Sequence, residues 1–185
     1  MMRAVAALLL GLLALTPLAA AADSVPEPDD YRADNFRSPT PATLKGARVV
    51  TTAEAEDIWK GGAAIFIDVL PQPPRPKNLP VGTIWHERPR LNIPGSTWLP
   101  DTGYGALPPP MEDYLRGNLA RLTGGDFSKM LVIYCLRDCW MSWNAAKRAM
   151  AMGYRNVVWY PDGTDGWEDA LLTVAVCKPE PRPGE

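Results

Sequence analysis

The sequence predicts an α/β domain, a doubly wound parallel sheet of about five strands flanked by helices. Three observations lead there. Short apolar runs of the buried-strand kind occupy residues 64–69, 131–134 and 156–160. Helical patterns alternate with them, and glycines stand where those helices should stop: Gly61-Gly62, Gly124-Gly125 and Gly153.

Each element has a local reason. Val49-Val50 reads as a short strand, and Thr51 with Glu54 three residues on forms a capping box for a helix reaching about Lys60. The run at 64–69 is continuous and apolar apart from one carboxylate, Asp68, at its end. Residues 71–91 form a long loop holding Pro71, Pro73, Pro74, Pro76, Pro80 and Pro89 with Trp85, His86, Glu87 and Arg88, a candidate lid or docking surface. A turn at Asn92-Ile93-Pro94-Gly95-Ser96 leads into the strand Thr97-Trp98-Leu99-Pro100. Tyr114, Leu115, Leu119 and Leu122 repeat at helical spacing. Residues 131–134 are the next strand, 142–152 the next helix and 156–160 a further strand. Residues 162–166 read as a turn, 167–172 as a short final helix.

The chain has 185 residues, and they divide unevenly. Residues 1–22 read as a signal peptide: Arg3 supplies a positive charge, residues 4–15 an apolar stretch, and Ala20-Ala21-Ala22 a cleavage site. That stretch is shorter than the roughly 20 residues a membrane span needs, so no span is expected in the mature chain. No cysteine follows it to carry a lipid. The mature protein is expected to begin at Asp23 and to be periplasmic. Residues 23–46 are a proline-rich extended arm, 47–173 the domain and 174–185 a C-terminal tail, expected to be loose after Cys177. Without Arg3 the balance is 18 basic against 21 acidic residues, a formal charge of −3. This argues against nucleic acid or an anionic membrane as partner.

A domain of this size builds its core without disulfide staples, so its cysteines call for another reason. Cys135 and Cys139 sit in the loop Cys135-Leu136-Arg137-Asp138-Cys139-Trp140-Met141-Ser142, between a strand and a helix. In a parallel sheet that is where reactive groups are presented, with loop and helix N–H groups turned toward negative charge. A thiolate is such a charge, and Arg137 adds a positive neighbour that Asp138 partly opposes. Cys139 is either a plain disulfide partner or a resolving thiol that attacks a persulfide or mixed disulfide on Cys135. Cys177 reads as a small buried hydrophobe, and Lys147 with Arg148 as a solvated face. His86 is the single histidine, so neither a metal cluster nor a Ser-His-Asp triad is read, and no cofactor is expected.

Taken in order, Ile67-Asp68-Val69, Asn92-Ile93-Pro94-Gly95, Val132-Ile133-Tyr134-Cys135, Ala145-Ala146 to Gly153-Tyr154, Asn156-Val157 and Asp162-Gly163-Thr164-Asp165-Gly166-Trp167 resemble the rhodanese-like domain. The two-cysteine loop closed by tryptophan, with Trp143-Asn144-Ala145-Ala146-Lys147-Arg148, is similar to the exported CxxCW rhodanese-like family associated with PQQ-dependent alcohol oxidation. That resemblance implies a persulfide on Cys135 as nucleophile, held by the backbone of Cys135, Leu136, Arg137, Asp138, Trp140, Met141 and Ser142, with Asp68 supporting the loop. It implies a small sulfur donor or thiol as substrate and a periplasmic quinoprotein dehydrogenase or cytochrome as partner. The alternative it leaves open is a non-catalytic accessory protein with a structural Cys135–Cys139 disulfide.

This chain departs from the pattern at four places. Three residues, not two, separate the cysteines. The loop is one residue longer than the usual rhodanese loop, the length of rhodanese-fold phosphatases and arsenate reductases. Yet Trp140-Met141-Ser142 offers no arginine to clamp an oxyanion, which argues against phosphatase chemistry. Asn92 stands for the usual histidine, and Leu70 for the usual arginine.

Overall fold

The computed structural model describes residues 25–184 apart from 74, 75, 85, 87 and 88, so the expected signal peptide lies outside the described residues. In chain order the elements are β1 (Arg48–Val49), α1 (Thr52–Gly61), β2 (Ile65–Asp68), β3 (Arg90–Asn92), β4 (Thr97–Trp98), α2 (Pro109–Thr123), β5 (Leu131–Tyr134), α3 (Trp140–Ala151), β6 (Val157–Tyr160), α4 (Gly163–Asp169) and β7 (Ala175–Cys177). Five of the strands form one parallel sheet in the order β1-β6-β5-β2-β4. The fold is the α/β arrangement expected. Among the described residues no helix is long and apolar enough to cross a membrane.

The pleat sorts the central strands onto two cores. Leu131 and Ile133 of β5 and Val157 and Trp159 of β6 face α2 and α3, where Leu115, Leu119, Trp143 and Ala146 meet them. Val132, Tyr134, Val158 and Tyr160 face the other way, onto Ala55 of α1 and Trp167 of α4. The capping box at α1 is complete: Thr51 Oγ1 accepts from Glu54 N–H, and Glu54 Oε2 accepts from Thr51 N–H at 2.9 Å. Left-handed Gly62 and Gly124 close α1 and α2 as their sequence spacing predicts.

Two expectations are corrected. The tail after Cys177 is not loose: Glu180 N–H donates to Trp98 O at 2.9 Å and Tyr114 donates to Glu180 O at 2.8 Å, while just before it Ala175–Cys177 pairs antiparallel with Arg90–Asn92. The last helix begins at Gly163, inside the expected turn, because close packing and not propensity sets its glycines. A Cβ at Gly163 would lie 2.3 Å from Cys135 O, and one at Gly166 would lie 2.4 Å from Asp162 Cβ.

The arm lies along α3. Asn144 accepts from Arg32 N–H and donates to Arg32 O, both at 2.9 Å, as a strand partner would. Trp143 Nε1 donates to Thr43 O, Lys147 reaches the carbonyls of Pro28, Asp29 and Asp30, and Leu44 is buried in the core. Arg148, expected on a solvated face, is instead buried. Its guanidinium donates to Thr102, Tyr104 and Gly105 carbonyls and lies over the Tyr31 ring. The polar groups of α3 that looked like solvent contacts are what fasten the arm.

Candidate functional site

The register of the parallel sheet brings several strand ends into line. Asp68 at the end of β2 stands beside Tyr134 at the end of β5 and Trp98 at the end of β4, while Tyr160 of β6 flanks Tyr134 on the other side. The two-cysteine loop leaves from the middle of that row. Cys135 O accepts from Thr164 N–H at 3.0 Å, and Leu136 bridges Gly163, so the start of α4 clamps the loop at its first residues. Asp138 turns the chain at φ 53°, a left-handed conformation that Asp tolerates better than most side chains. Cys139 is the N-cap residue of α3. Ser142 Oγ then donates to Cys139 O and accepts from Trp159 Nε1, both at 3.0 Å, which locks the first turn of the helix to β6.

The two sulfurs are 2.6 Å apart, both free thiols, with Cys135 0 % and Cys139 1 % exposed. That separation is roughly half an ångström beyond a disulfide bond. The pair does not share its charge evenly. Burial first, then the Cys139 sulfur and the charge of Asp68, push Cys135 well above an ordinary thiol. Cys139 is drawn down to about 6, first by the Cys135 thiol that donates to it, and against its own burial by the Met141 and Leu136 amides and by Arg37. The thiolate therefore sits on Cys139, not on Cys135 as the sequence suggested. The helix terminus explains this: Cys139 is the N-cap residue of α3, where the unpaired N–H groups of the first turn favour a negative charge.

The expected backbone cradle is accordingly filled from within. Leu136 and Met141 amides point at the Cys139 sulfur, Arg137 N–H donates to Asp165 Oδ2 at 3.1 Å, and Trp140 N–H donates to Phe36 O at 2.9 Å. Among the described residues, Asp68 makes no hydrogen bond to this loop. Its Oδ1 accepts from Leu70 N–H at 2.9 Å and its Oδ2 from Arg90 Nε at 2.6 Å. Arg90 Nη2 continues to Thr164 Oγ1 at 3.2 Å, and Thr164 in turn holds Cys135 O. Asp68 supports the loop at two removes. Arg90, which the sequence reading passed over as the end of a proline-rich loop, is the connecting residue. Burial pushes the Asp68 carboxyl up, while Asp68 holds the Arg90 guanidinium charged against its own burial.

Two arginines flank the loop. Arg137, the expected activating charge, turns outward to Asp169 Oδ2 at 2.7 Å and Asp162 Oδ1 at 3.4 Å. Arg37 comes instead from the arm, bridged antiparallel to Cys139, with Nη1 donating to Arg137 O at 2.9 Å. Trp140 fastens that part of the arm, its Nε1 donating to Ser38 Oγ and Pro39 O at 3.1 Å. In front of the loop lies a cleft of about 790 Å³, walled by Leu70, Pro71, Leu91, Trp98 and Leu136, with Arg37, Arg90 and Thr164 among its polar groups. Neither cysteine lines the cleft, whereas Leu136, next to Cys135 in the chain, and Thr164, whose N–H holds Cys135 O, both do. Cys177, expected to be buried, is half-exposed on the β3–β7 ribbon, its thiol near Lys178 O at 3.4 Å; His86 is exposed. Among the described residues no group of three or more His, Cys, Asp and Glu side chains is placed to hold a metal.

No protein-family model matches the sequence, and no curated protein is similar to it. Among solved structures, a thiosulfate sulfurtransferase from Pseudomonas aeruginosa is similar at 16% identity and a TM-score of 0.48, over 72% of this chain and 21% of that one. The chain thus spans about a fifth of that protein's length. A homodimeric polysulfide-sulfur transferase from Wolinella succinogenes is similar at 14% identity and a TM-score of 0.43, over 70% of this chain and 79% of that one.

Proposed function

We propose that the chain is an exported, periplasmic rhodanese-like thiol protein in which Cys135 carries sulfur and Cys139 resolves it, working beside a PQQ-dependent alcohol oxidation system. The observation that carries the chemistry is the 2.6 Å approach of the two sulfurs with loop amides directed at one of them. Location and the quinoprotein association rest on the signal-like segment and the CxxCW resemblance.

The steps follow from the uneven charge. Cys135 attacks the outer sulfur of a sulfane donor such as thiosulfate while its proton passes to the Cys139 thiolate; sulfite leaves and Cys135 holds a persulfide. The proton then moves from Cys139 to the terminal sulfur. The Cys139 thiolate attacks the inner sulfur, a Cys135–Cys139 disulfide forms and HS⁻ departs. Two thiols are oxidised and one sulfane sulfur is reduced, so the electrons balance. The low Cys139 pKa keeps that sulfur deprotonated, so that it is available first to take the Cys135 proton and then to attack.

Intact-mass analysis of reduced full-length protein incubated with thiosulfate tests this. Wild type should lose two hydrogens and release sulfide, and Cys139→Ser should accumulate one extra sulfur atom on Cys135. Retention of both free thiols in wild type, with no adduct in the variant, would rule out sulfur transfer. One observation favours a second reading, a non-catalytic accessory protein with a structural disulfide: neither sulfur is accessible to solvent. Non-reducing peptide mapping that finds a Cys135–Cys139 bridge unaltered by donor or reductant would favour it.

A further inference from the structure

We infer that Arg37, delivered by the N-terminal arm, is the positioning residue of the site: it stands as the cation beside Cys139 and receives the anionic end of the sulfur donor in the cleft. This rests on the sulfur-handling function proposed above and names its substrate class, a sulfane donor with an anionic end and an apolar body.

Three observations converge on Arg37. The loop brings no arginine of its own to the sulfurs, because its end is Trp140-Met141-Ser142 and Arg137 is committed to Asp162 and Asp169. The backbone of Arg37 is fixed against Cys139 by the antiparallel bridge, by Trp140 N–H donating to Phe36 O at 2.9 Å, and by Arg37 Nη1 donating to Arg137 O at 2.9 Å. Among the described residues no carboxylate pairs with Arg37. A guanidinium has five N–H donors, so donors remain for a ligand.

The third observation is the cleft. Arg37 lines it together with Leu91, Trp98, Leu136 and Thr164. The other cation among the described lining residues, Arg90, is paired with Asp68 at 2.6 Å, and the lining carboxylates Asp165 and Glu168 both lie on α4. An anion that enters therefore meets Arg37 as the cation with donors to spare, and the apolar walls suit a body larger than thiosulfate. The field of the same guanidinium favours the Cys139 thiolate.

The experiment compares full-length wild type, Arg37→Gln and Arg37→Lys, each reduced and checked for an unaltered unfolding midpoint. Reaction at Cys135 is timed by intact mass as the loss of two hydrogens that closes the Cys135–Cys139 disulfide, with benzenethiosulfonate, which is anionic, and with diallyl trisulfide, which is neutral; thiolate absorbance is titrated in parallel. Arg37→Gln should lose about tenfold or more in uptake from the anionic donor relative to the neutral one, and its thiolate midpoint should rise by roughly one pH unit. Arg37→Lys should restore most of both. Equal rates with both donors and an unmoved midpoint in Arg37→Gln would overturn the assignment. So would an equal loss with both donors, since that marks a purely structural residue. If wild type takes sulfur from neither donor, the proposed function falls, and an unmoved midpoint then removes the role of Arg37 as well.

Discussion

Two adjacent strand ends of the sheet each bury a charge, and they neutralise it by different means. At the end of β2, Asp68 is fully buried and is met by a side chain from 22 residues away, Arg90. At the end of β5 the Cys139 thiolate is met first by a near neighbour, the Cys135 thiol of its own loop, and then by backbone, the Leu136 and Met141 amides. A side-chain partner is removed by one substitution, whereas amides stay whatever residues occupy the loop. The first site is thus a stability element that one mutation can break, and the second is a chemical element whose charge is shared between a neighbouring thiol and amides that no substitution removes.

The largest effect should come from breaking the side-chain partnership. Arg90→Ala strands Asp68 in the interior, and removal of one partner of a buried pair costs about 3–5 kcal/mol. Urea unfolding should show that loss, and Asp68→Asn combined with Arg90→Gln should regain most of it, because no uncompensated charge remains. If the single variant unfolds like wild type, the pair is not what holds this end of the sheet.

Next in size is the pH dependence of the amide-held thiolate. The Cys139 value in the folded protein is about 6, below an ordinary thiol. A group lowered on folding contributes stability that is complete above its unfolded value and is lost as pH falls through the folded one. Stability of the reduced protein should therefore climb between about pH 6 and roughly 8.5, by on the order of 3 kcal/mol. Cys135, raised by burial, costs stability only as pH passes the ordinary thiol value of roughly 8.5, so the climb should turn into a fall above it. The oxidised protein, which has no thiolate, should show no such climb.

The same contrast explains what the sequence disclosed. Residues 131–134, the loop and the helix after it are local: an apolar run, a two-cysteine turn and a glycine stop lie within about two dozen residues, so their order could be read directly. The sequence points the thiolate at Cys135 and the structure draws Cys139 down instead, because the start of α3 at Trp140, two residues before the expected Ser142, makes Cys139 the cap. Partners that come from far along the chain left no local pattern. Arg90 reaches Asp68 from the far end of a proline-rich loop, and Arg37 reaches Cys139 from about a hundred residues away. The β3–β7 ribbon has strands of three residues, too short for alternation to register, and its pairing spans most of the domain. Arg148 sits beside Lys147 in a pattern indistinguishable from a charged surface, and only the arm that covers it makes it buried.

A smaller effect tests whether local capping is independent of both charges. Thr51→Ala removes the side-chain oxygen that accepts Glu54 N–H, and such caps contribute about 1 kcal/mol. The loss should appear equally in reduced and oxidised protein and at every pH between 6 and 9, since neither cysteine touches α1. A pH-dependent difference would mean that the sheet couples the cap to the thiol pair.

The smallest effect belongs to the outward arginine. Asp169→Asn removes the closer partner of Arg137, but that pair is exposed on both sides, with side chains 43% and 67% accessible. Such pairs contribute about 0–1 kcal/mol, and salt screens them. The variant should unfold within about 0.5 kcal/mol of wild type, and raising the salt concentration should erase even that difference. Its value lies in the thiolate titration. If Arg137 is spent on its carboxylates and Arg37 is the cation that Cys139 feels, freeing Arg137 should leave the thiolate midpoint near its wild-type position. A midpoint that falls sharply in Asp169→Asn would show that the loop's own arginine can swing back to the sulfurs, and that the outward ion pairs, not the amides, set the charge at the end of β5.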